Sequence, residues 1–318
     1  MKIALAFDPG RQSEWRDAFA GLNLEAIAPV EYVLAGTVPE LRAAEPEIVI
    51  GYASGFVAAY LRNAPPTLKW AHFMNAGVDP VTKALGGKAP HFLSTNVRGI
   101  HVETMGEFVL MAMLHFAKRV PLWMEQQREH SWQPRANPLL SGKTVLIVGA
   151  GSIGGSVARI CKSFGMHVVG VATREGPRPH FDQVAISMQP HLGTADYVIC
   201  TLPLTADTTR VFDAAAFAAM KHGAVFVNIG RGEMVDEDAI IAALTSGQLG
   251  GAALDAHITE PLPATSPLWD TPNLLLTPHV SGRHEGGITK GAELFAQNFR
   301  RYLSGEPLVT PVDLARGY

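Results

Sequence analysis

Short apolar runs and amphipathic stretches alternate along most of the chain. Lys2–Phe7, Glu47–Gly51, Lys69–Met74 and His91–Ser94 are four to six residues long and bounded by Pro, Gly or Asp, as buried strands are. Between them, Gln12–Gly21, Val38–Ala44 and Gly55–Arg62 carry apolar residues at helical spacing. Strands alternating with helices predict a parallel sheet with helices on its faces. A long apolar, Met-rich helix is predicted over Val102–Val120, broken by Pro121, with a more polar helix over Leu122–Trp132. After the loop Gln133–Gly142 a second series begins, with six candidate strands: Thr144–Val148, His167–Val171, Tyr197–Leu202, Ala224–Ile229, Gly250–Leu254 and Leu274–Thr277. Six strands with intervening helices is the count expected of a doubly wound dinucleotide-binding domain. A helix over Ile288–Leu303 and an extended tail complete the pattern.

Composition narrows the function classes. At roughly 100–200 residues per domain, 318 residues favour two domains. A hydrophobic fraction of 47% with 17% charged residues is that of a globular chain, not a disordered one. Lys and Arg number 26 against 29 Asp and Glu, a formal charge of −3. That balance gives no electrostatic footprint for nucleic acid or an anionic membrane. The apolar start Met1–Phe7 stops at Asp8-Pro9-Gly10, too short for a signal-peptide core, and the densest later run, Phe108–Leu114, ends at His115, too short to span a bilayer. Cys161 and Cys200 lie 39 positions apart with no CxxC, which excludes a disulfide framework and a zinc-ribbon site. A cytosolic protein is expected, with twelve histidines to be sorted by their company.

Gly149-Ala150-Gly151-Ser152-Ile153-Gly154 fits G-x-G-x-x-G. With 31 glycines in the chain the hexapeptide is weak alone, but it follows the strand Val145–Val148 and opens a helix predicted over Ser156–Phe164. In that context one glycine makes the bend, one lets a pyrophosphate approach the backbone, and the third lets helix and strand close up. The helix start offers N–H groups to the phosphates. Gly142-Lys143-Thr144 resembles the end of a Walker loop, but the first glycine that loop needs falls on Asn137. The next strand ends Val171-Ala172-Thr173-Arg174, with no carboxylate before Glu175. A carboxylate there would accept the ribose hydroxyls of NAD, whereas Thr173 and Arg174 suit a 2′-phosphate. NADP is therefore favoured over NAD, the competing reading of Arg174 being a solvated loop residue.

Three motifs follow: Asn228-Ile229-Gly230-Arg231-Gly232 at a strand end, Glu260 in a segment running Leu254–Pro263, and His279 in Leu276–Gly282. Glu260 lies 29 positions after Arg231 and His279 a further 19 on. Loops after the carboxyl ends of parallel strands line one crevice, so the three are expected to converge. No HExxH, metal-ligand spacing or G-x-S-x-G elbow occurs, and neither a metal nor a serine nucleophile is expected.

These motifs, their order and the long helix ahead of the glycine loop resemble the D-isomer-specific 2-hydroxyacid dehydrogenases over nearly the whole chain. Asn75-Ala76-Gly77-Val78-Asp79 is similar to that family's substrate loop, and the terminal Val312–Tyr318 resembles the glyoxylate/hydroxypyruvate reductase branch. The resemblance implies a Rossmann cofactor domain, residues 98–283, and a smaller discontinuous flavodoxin-like α/β substrate domain, residues 1–97 and 284–318. It also implies closure about hinges near 99–120 and 282–299, and a homodimer through the region 102–132. Cofactor contacts are implied at Gly149, Gly151, Ser152, Ile153, Gly154, Thr173, Arg174, Leu202, Pro203, Ile229, Asp255, His279 and Gly282, with Asp255 on the nicotinamide carboxamide.

The residue types suit the reduction of a 2-oxo acid. Arg231 can grip the carboxylate and polarise the carbonyl, and backbone N–H groups of Ala76, Gly77 and Val78 can take the remaining carboxylate oxygens. His279 can exchange a proton near neutral pH as hydride moves, with Glu260 holding its far nitrogen. Arg283 is a candidate second cationic contact. Formate dehydrogenases resemble a pattern with Gln at the position of Glu260, and Gly51–Gly55 lacks the Arg that a 3-phosphoglycerate would want. Ala256-His257 and Gly106-Glu107 depart from the family's common Val-Phe and Ala-Glu. The alternative to an enzyme is a dinucleotide-sensing corepressor on the same fold.

Overall fold

The computed structural model describes residues 1–53 and 55–315. Of the terminal segment that resembled the reductase branch, Arg316, Gly317 and Tyr318 lie outside the described residues. The chain forms two compact units, Met1–Ile100 with His284–Tyr318, and His101–Arg283.

The first unit is built on five parallel strands, β1 (Lys2–Ala6), β2 (Glu31–Ala35), β3 (Ile48–Gly51), β4 (Trp70–Phe73) and β5 (Leu93–Asn96), in the order β2-β1-β3-β4-β5. Side chains alternate across a strand, so each strand feeds two cores. Ile3, Leu5, Ile48, Ile50 and Trp70 join Trp15 and Phe19 of helix Gln12–Ala20 and Phe295 and Phe299 of helix Gly287–Leu303. Ala4, Ala6, Val49, Ala71 and Phe73 instead face helices Val38–Ala44, Gly55–Leu61 and Asp79–Leu85. This strand order is the flavodoxin-like one.

The second unit holds seven parallel strands, one more than the hydrophobic pattern predicted: β6 (Thr144–Val148), β7 (His167–Val171), β8 (Gln183–Ala185), β9 (Tyr197–Cys200), β10 (Ala224–Asn228), β11 (Leu249–Leu254) and β12 (Leu274–Leu276). Their order, β12-β11-β10-β9-β6-β7-β8, is doubly wound and reverses between β6 and β9, the switch point where such sheets open a ligand crevice. The fold class is thus the one expected. Helices Val102–Ala117 and Ser152–Ser163 cover one face through Val109, Met113, Val157 and Cys161. Gly106 lets them approach: a Cβ there would lie 2.8 Å from Ser156 Oγ. Pro121 starts a helix rather than only ending one. The first helix stops at Ala117, Arg119 takes a left-handed φ of 52°, and Val120–Arg128 begins with Pro in its first turn, where the missing N–H is harmless. Among the described residues no helix is long and apolar enough to cross a membrane.

Candidate active site

Because the strands of the second unit are parallel, their carboxyl ends place the sequence-selected loops along one edge. Gly149 follows β6 with φ of +115°, and a Cβ on it would sit 2.6 Å from Thr201 Oγ1. Thr201 in turn donates to the Gly149 carbonyl at 2.7 Å. A Cβ on Gly154 would fall 2.2 Å from that same carbonyl oxygen. Both glycines are therefore required by the protein's own packing. Gly151 is not, since a Cβ there would meet no atom within 4 Å. It caps the 12-residue helix Ser152–Ser163 with no side-chain bond to the helix start, leaving room and donors for an anion. The glycine loop thus fits a dinucleotide pyrophosphate.

Thr173 and Arg174 are exposed on the loop after β7. Sequence reasoning missed Arg178 on the same loop, whose Nη1 donates to the Ala150 carbonyl at 2.6 Å. Arg178 lines a cleft of about 550 Å³ with Ala150, Gly151, Ser152 and Ser156. The only signal for it was a second arginine four positions after the first. Leu202 is partly buried against the core, Pro203 is exposed, Ile229 is buried, and Gly282 lies against the His101 ring.

Arg231 follows β10, and its loop is shaped by Asn228, the last residue of that strand. Asn228 is fully buried; its Oδ1 accepts from Gly230 N at 3.0 Å and its Nδ2 donates to the Arg231 carbonyl at 2.9 Å. Gly232 presses on the next loop so closely that a Cβ would lie 2.1 Å from the His257 carbonyl carbon. The Arg231 loop and the loop leading to Glu260 are therefore in backbone contact.

Glu260 and His279 meet. Nδ1 of His279 lies 2.9 Å from Glu260 Oε2 and 3.1 Å from Oε1, which leaves Nε2 for other chemistry. Both side chains are partly exposed, 44% for His279 and 37% for Glu260. His279 has φ of 53°, a left-handed conformation that bulky residues seldom adopt. Asp255 holds that turn. Only 1% exposed, it accepts from Thr277 Oγ1 at 2.6 Å, Val280 N at 2.8 Å and Ser281 N at 2.8 Å. This bracing of the His279 loop was not foreseen beside the expected carboxamide contact.

In the other unit, the segment Ala76–Val78 is ordered by its neighbours. Asn75 Nδ2 donates to the Gly77 carbonyl at 2.6 Å, and Asn96 Nδ2 donates to the Ala76 carbonyl at 2.7 Å. Arg283, the last residue of the second unit, is exposed. No group of three or more His, Cys, Asp or Glu side chains that could hold a metal ion occurs among the described residues.

Comparison with known proteins gives a consistent result. The family model for the D-isomer specific 2-hydroxyacid dehydrogenase NAD binding domain matches residues 110–281. Glyoxylate/hydroxypyruvate reductase B of Citrobacter koseri is 35% identical over 277 residues, covering 80% of this chain and 84% of that protein. A D-isomer specific 2-hydroxyacid dehydrogenase family protein from Aeromonas salmonicida superposes with a TM-score of 0.87 at 33% identity, covering 98% of this chain and 99% of that one. NADPH-dependent glyoxylate/hydroxypyruvate reductase from Sinorhizobium meliloti, in complex with NADP and sulfate, gives a TM-score of 0.87 at 28% identity, covering 100% of this chain and 99% of that one.

Proposed function

The chain belongs to the D-isomer-specific 2-hydroxyacid dehydrogenase family, and on that premise we propose that it reduces a small 2-oxo acid, glyoxylate or hydroxypyruvate in kind, to the 2-hydroxy acid with NADPH. The observation that carries this reading is the Glu260–His279 pair at 2.9 Å, in the unit whose residues match the NAD binding domain model. That unit, His101–Arg283, is read as the dinucleotide-binding domain, and the other as the substrate domain.

Each residue has a defined task. The glycine loop, with the open space at Gly151, would take the pyrophosphate, and Thr173 and Arg174 would hold the 2′-phosphate. The NADP complex of the Sinorhizobium meliloti neighbour supports that cofactor. A nicotinamide cofactor held there would supply hydride for the carbonyl carbon. Arg231 grips the substrate carboxylate and polarises the carbonyl oxygen. His279 delivers a proton from Nε2 to that oxygen, and Glu260 on Nδ1 fixes the ring and stabilises its cationic form. Ala76–Val78 offers backbone N–H groups suited to a carboxylate, and Arg283 a further cationic contact.

The test is NADPH consumption with glyoxylate and hydroxypyruvate. Wild type is expected to turn over and His279→Ala to lose about 10²–10⁴-fold in kcat, the worth of a positioned proton donor. Retained turnover in the variant would remove His279 from the chemistry. A wild-type chain that binds NADPH yet reduces no 2-oxo acid would favour a binding protein instead.

A further inference from the structure

We propose that His257 is a positioning residue that locks the proton-transferring pair, joining the loop of Glu260 to the turn of His279. The proposal rests on the reading of His279 as proton donor. His257 is 7% exposed and stands two residues past Asp255. Its backbone N–H donates to Glu260 Oε1 at 3.0 Å, so the same carboxylate that meets His279 is held from behind. Its ring Nε2 lies 3.1 Å from the Thr277 carbonyl oxygen. A carbonyl only accepts, so Nε2 carries the proton and the tautomer is fixed.

That carbonyl belongs to the turn bearing His279. Thr277 O also accepts from His279 N at 3.0 Å, closing a three-residue turn over Pro278. The left-handed φ of His279 means that this turn persists only where its surroundings hold it. Asp255 holds it on one side through Thr277 Oγ1, and the His257 ring holds the carbonyl on the other.

The remaining ring nitrogen supports the inference. Nδ1 of His257 is buried and has no hydrogen-bond partner among the described residues. An imidazole with one nitrogen unpaired is a poor filler for an apolar space, because an aromatic hydrocarbon ring would occupy it without burying an unsatisfied polar atom. What the imidazole adds is the single donor bond to Thr277. Losing that bond leaves the carbonyl held by the His279 N–H alone and lets the His279 ring drift relative to Glu260. Misplacement by about 1 Å costs on the order of 10²-fold in rate.

The test compares His257→Phe, His257→Gln and His257→Asn in the full chain, with His279→Ala alongside. Gln can place an amide N–H where Nε2 stands, whereas the shorter Asn reaches only the Nδ1 position, and Phe keeps the ring without a donor. We expect kcat to fall roughly 10–100-fold in the Phe and Asn variants, with KM for NADPH and 2-oxo acid within about threefold of wild type, and to be rescued by Gln. The hydride isotope effect from 4-deuterated NADPH should rise as kcat falls. Wild-type kcat in the Phe variant overturns the proposal, and so does an Asn variant as active as Gln. If the Phe variant does not fold, the Gln–Asn pair decides. An active His279→Ala variant would sink the functional reading itself, whereas an inactive one beside a fully active His257→Phe sinks only this inference.

Discussion

Arg174 and Arg178 share one loop but present their guanidinium groups differently. Arg174 is exposed beyond β7, whereas Arg178 is tied to the Ala150 carbonyl within the glycine loop. A charge-assisted bond to a phosphate is worth about 1.5–3 kcal/mol, so Arg174→Ala should raise KM for NADPH by roughly 10–100-fold and leave that for NADH nearly unchanged. Arg178→Ala removes a brace common to both nucleotides and should weaken both. Steady-state kinetics with the two cofactors checks this, and an equal response of NADPH and NADH to Arg174→Ala would return Arg174 to a solvated loop role. Arg231 and His279 stood out as candidates because each falls just past a strand end, and Glu260 because the loop after β11 carries it to a proline. Asn228, His257 and the bracing by Asp255 were not, because their bonds run between loops that are distant in sequence. Asn228 was visible only as a polar residue ending an apolar strand, and nothing in its own segment says that both halves of its amide fold back onto the Arg231 loop.

At the scale of elements, β4, β5 and helix Gly287–Leu303 enclose a histidine that has no part in the proposed chemistry. His72 is fully buried, its Nδ1 lies 2.7 Å from Thr95 Oγ1, and its ring meets Phe295 edge to face. Burial pushes its pKa down from 6.5 to about 3. The unfolded chain therefore takes up a proton below pH 6.5 that the native one refuses until about pH 3, and stability falls as pH drops through that window. Between pH 7 and 5 this should cost about 2 kcal/mol, seen as a lower urea midpoint. His72→Phe should flatten the dependence; an equally steep loss in the variant would place its origin elsewhere. The elements that sequence patterning missed share a cause. β2 and β8 are edge strands, Glu31–Ala35 half exposed and Gln183–Ala185 only three residues long, so neither carries the continuous apolar run of a strand buried on both faces. The central strands were plain for the opposite reason, every residue of β3, β4, β9 and β10 being buried.

For the whole molecule, the segment 102–132 bears large apolar side chains that its own unit leaves uncovered: Met111 is 43% exposed, Met124 47% and Trp132 94%. With the helix Val102–Ala117 already covering its own sheet through Val109 and Met113, these exposed apolar side chains are of the kind a partner subunit covers. We expect sedimentation to give a dimer at micromolar concentration, and Met111→Asp with Met124→Asp to give a monomer with native circular dichroism. A monomeric wild type ends that reading. The division of the chain also governs how the protein is made. One unit is inserted into the other, entered after Ile100 and left before His284, and Phe295 and Phe299 complete the core begun by Ile3, Leu5 and Trp70. At about 5–20 residues per second on the ribosome, the nascent first sheet waits on the order of ten seconds or more with that face covered by helix Gln12–Ala20 but not by Phe295 and Phe299, while the inserted unit already has all its strands. Vectorial synthesis therefore makes the inserted unit the first to finish, and leaves the opening hundred residues as the stretch most in need of a chaperone.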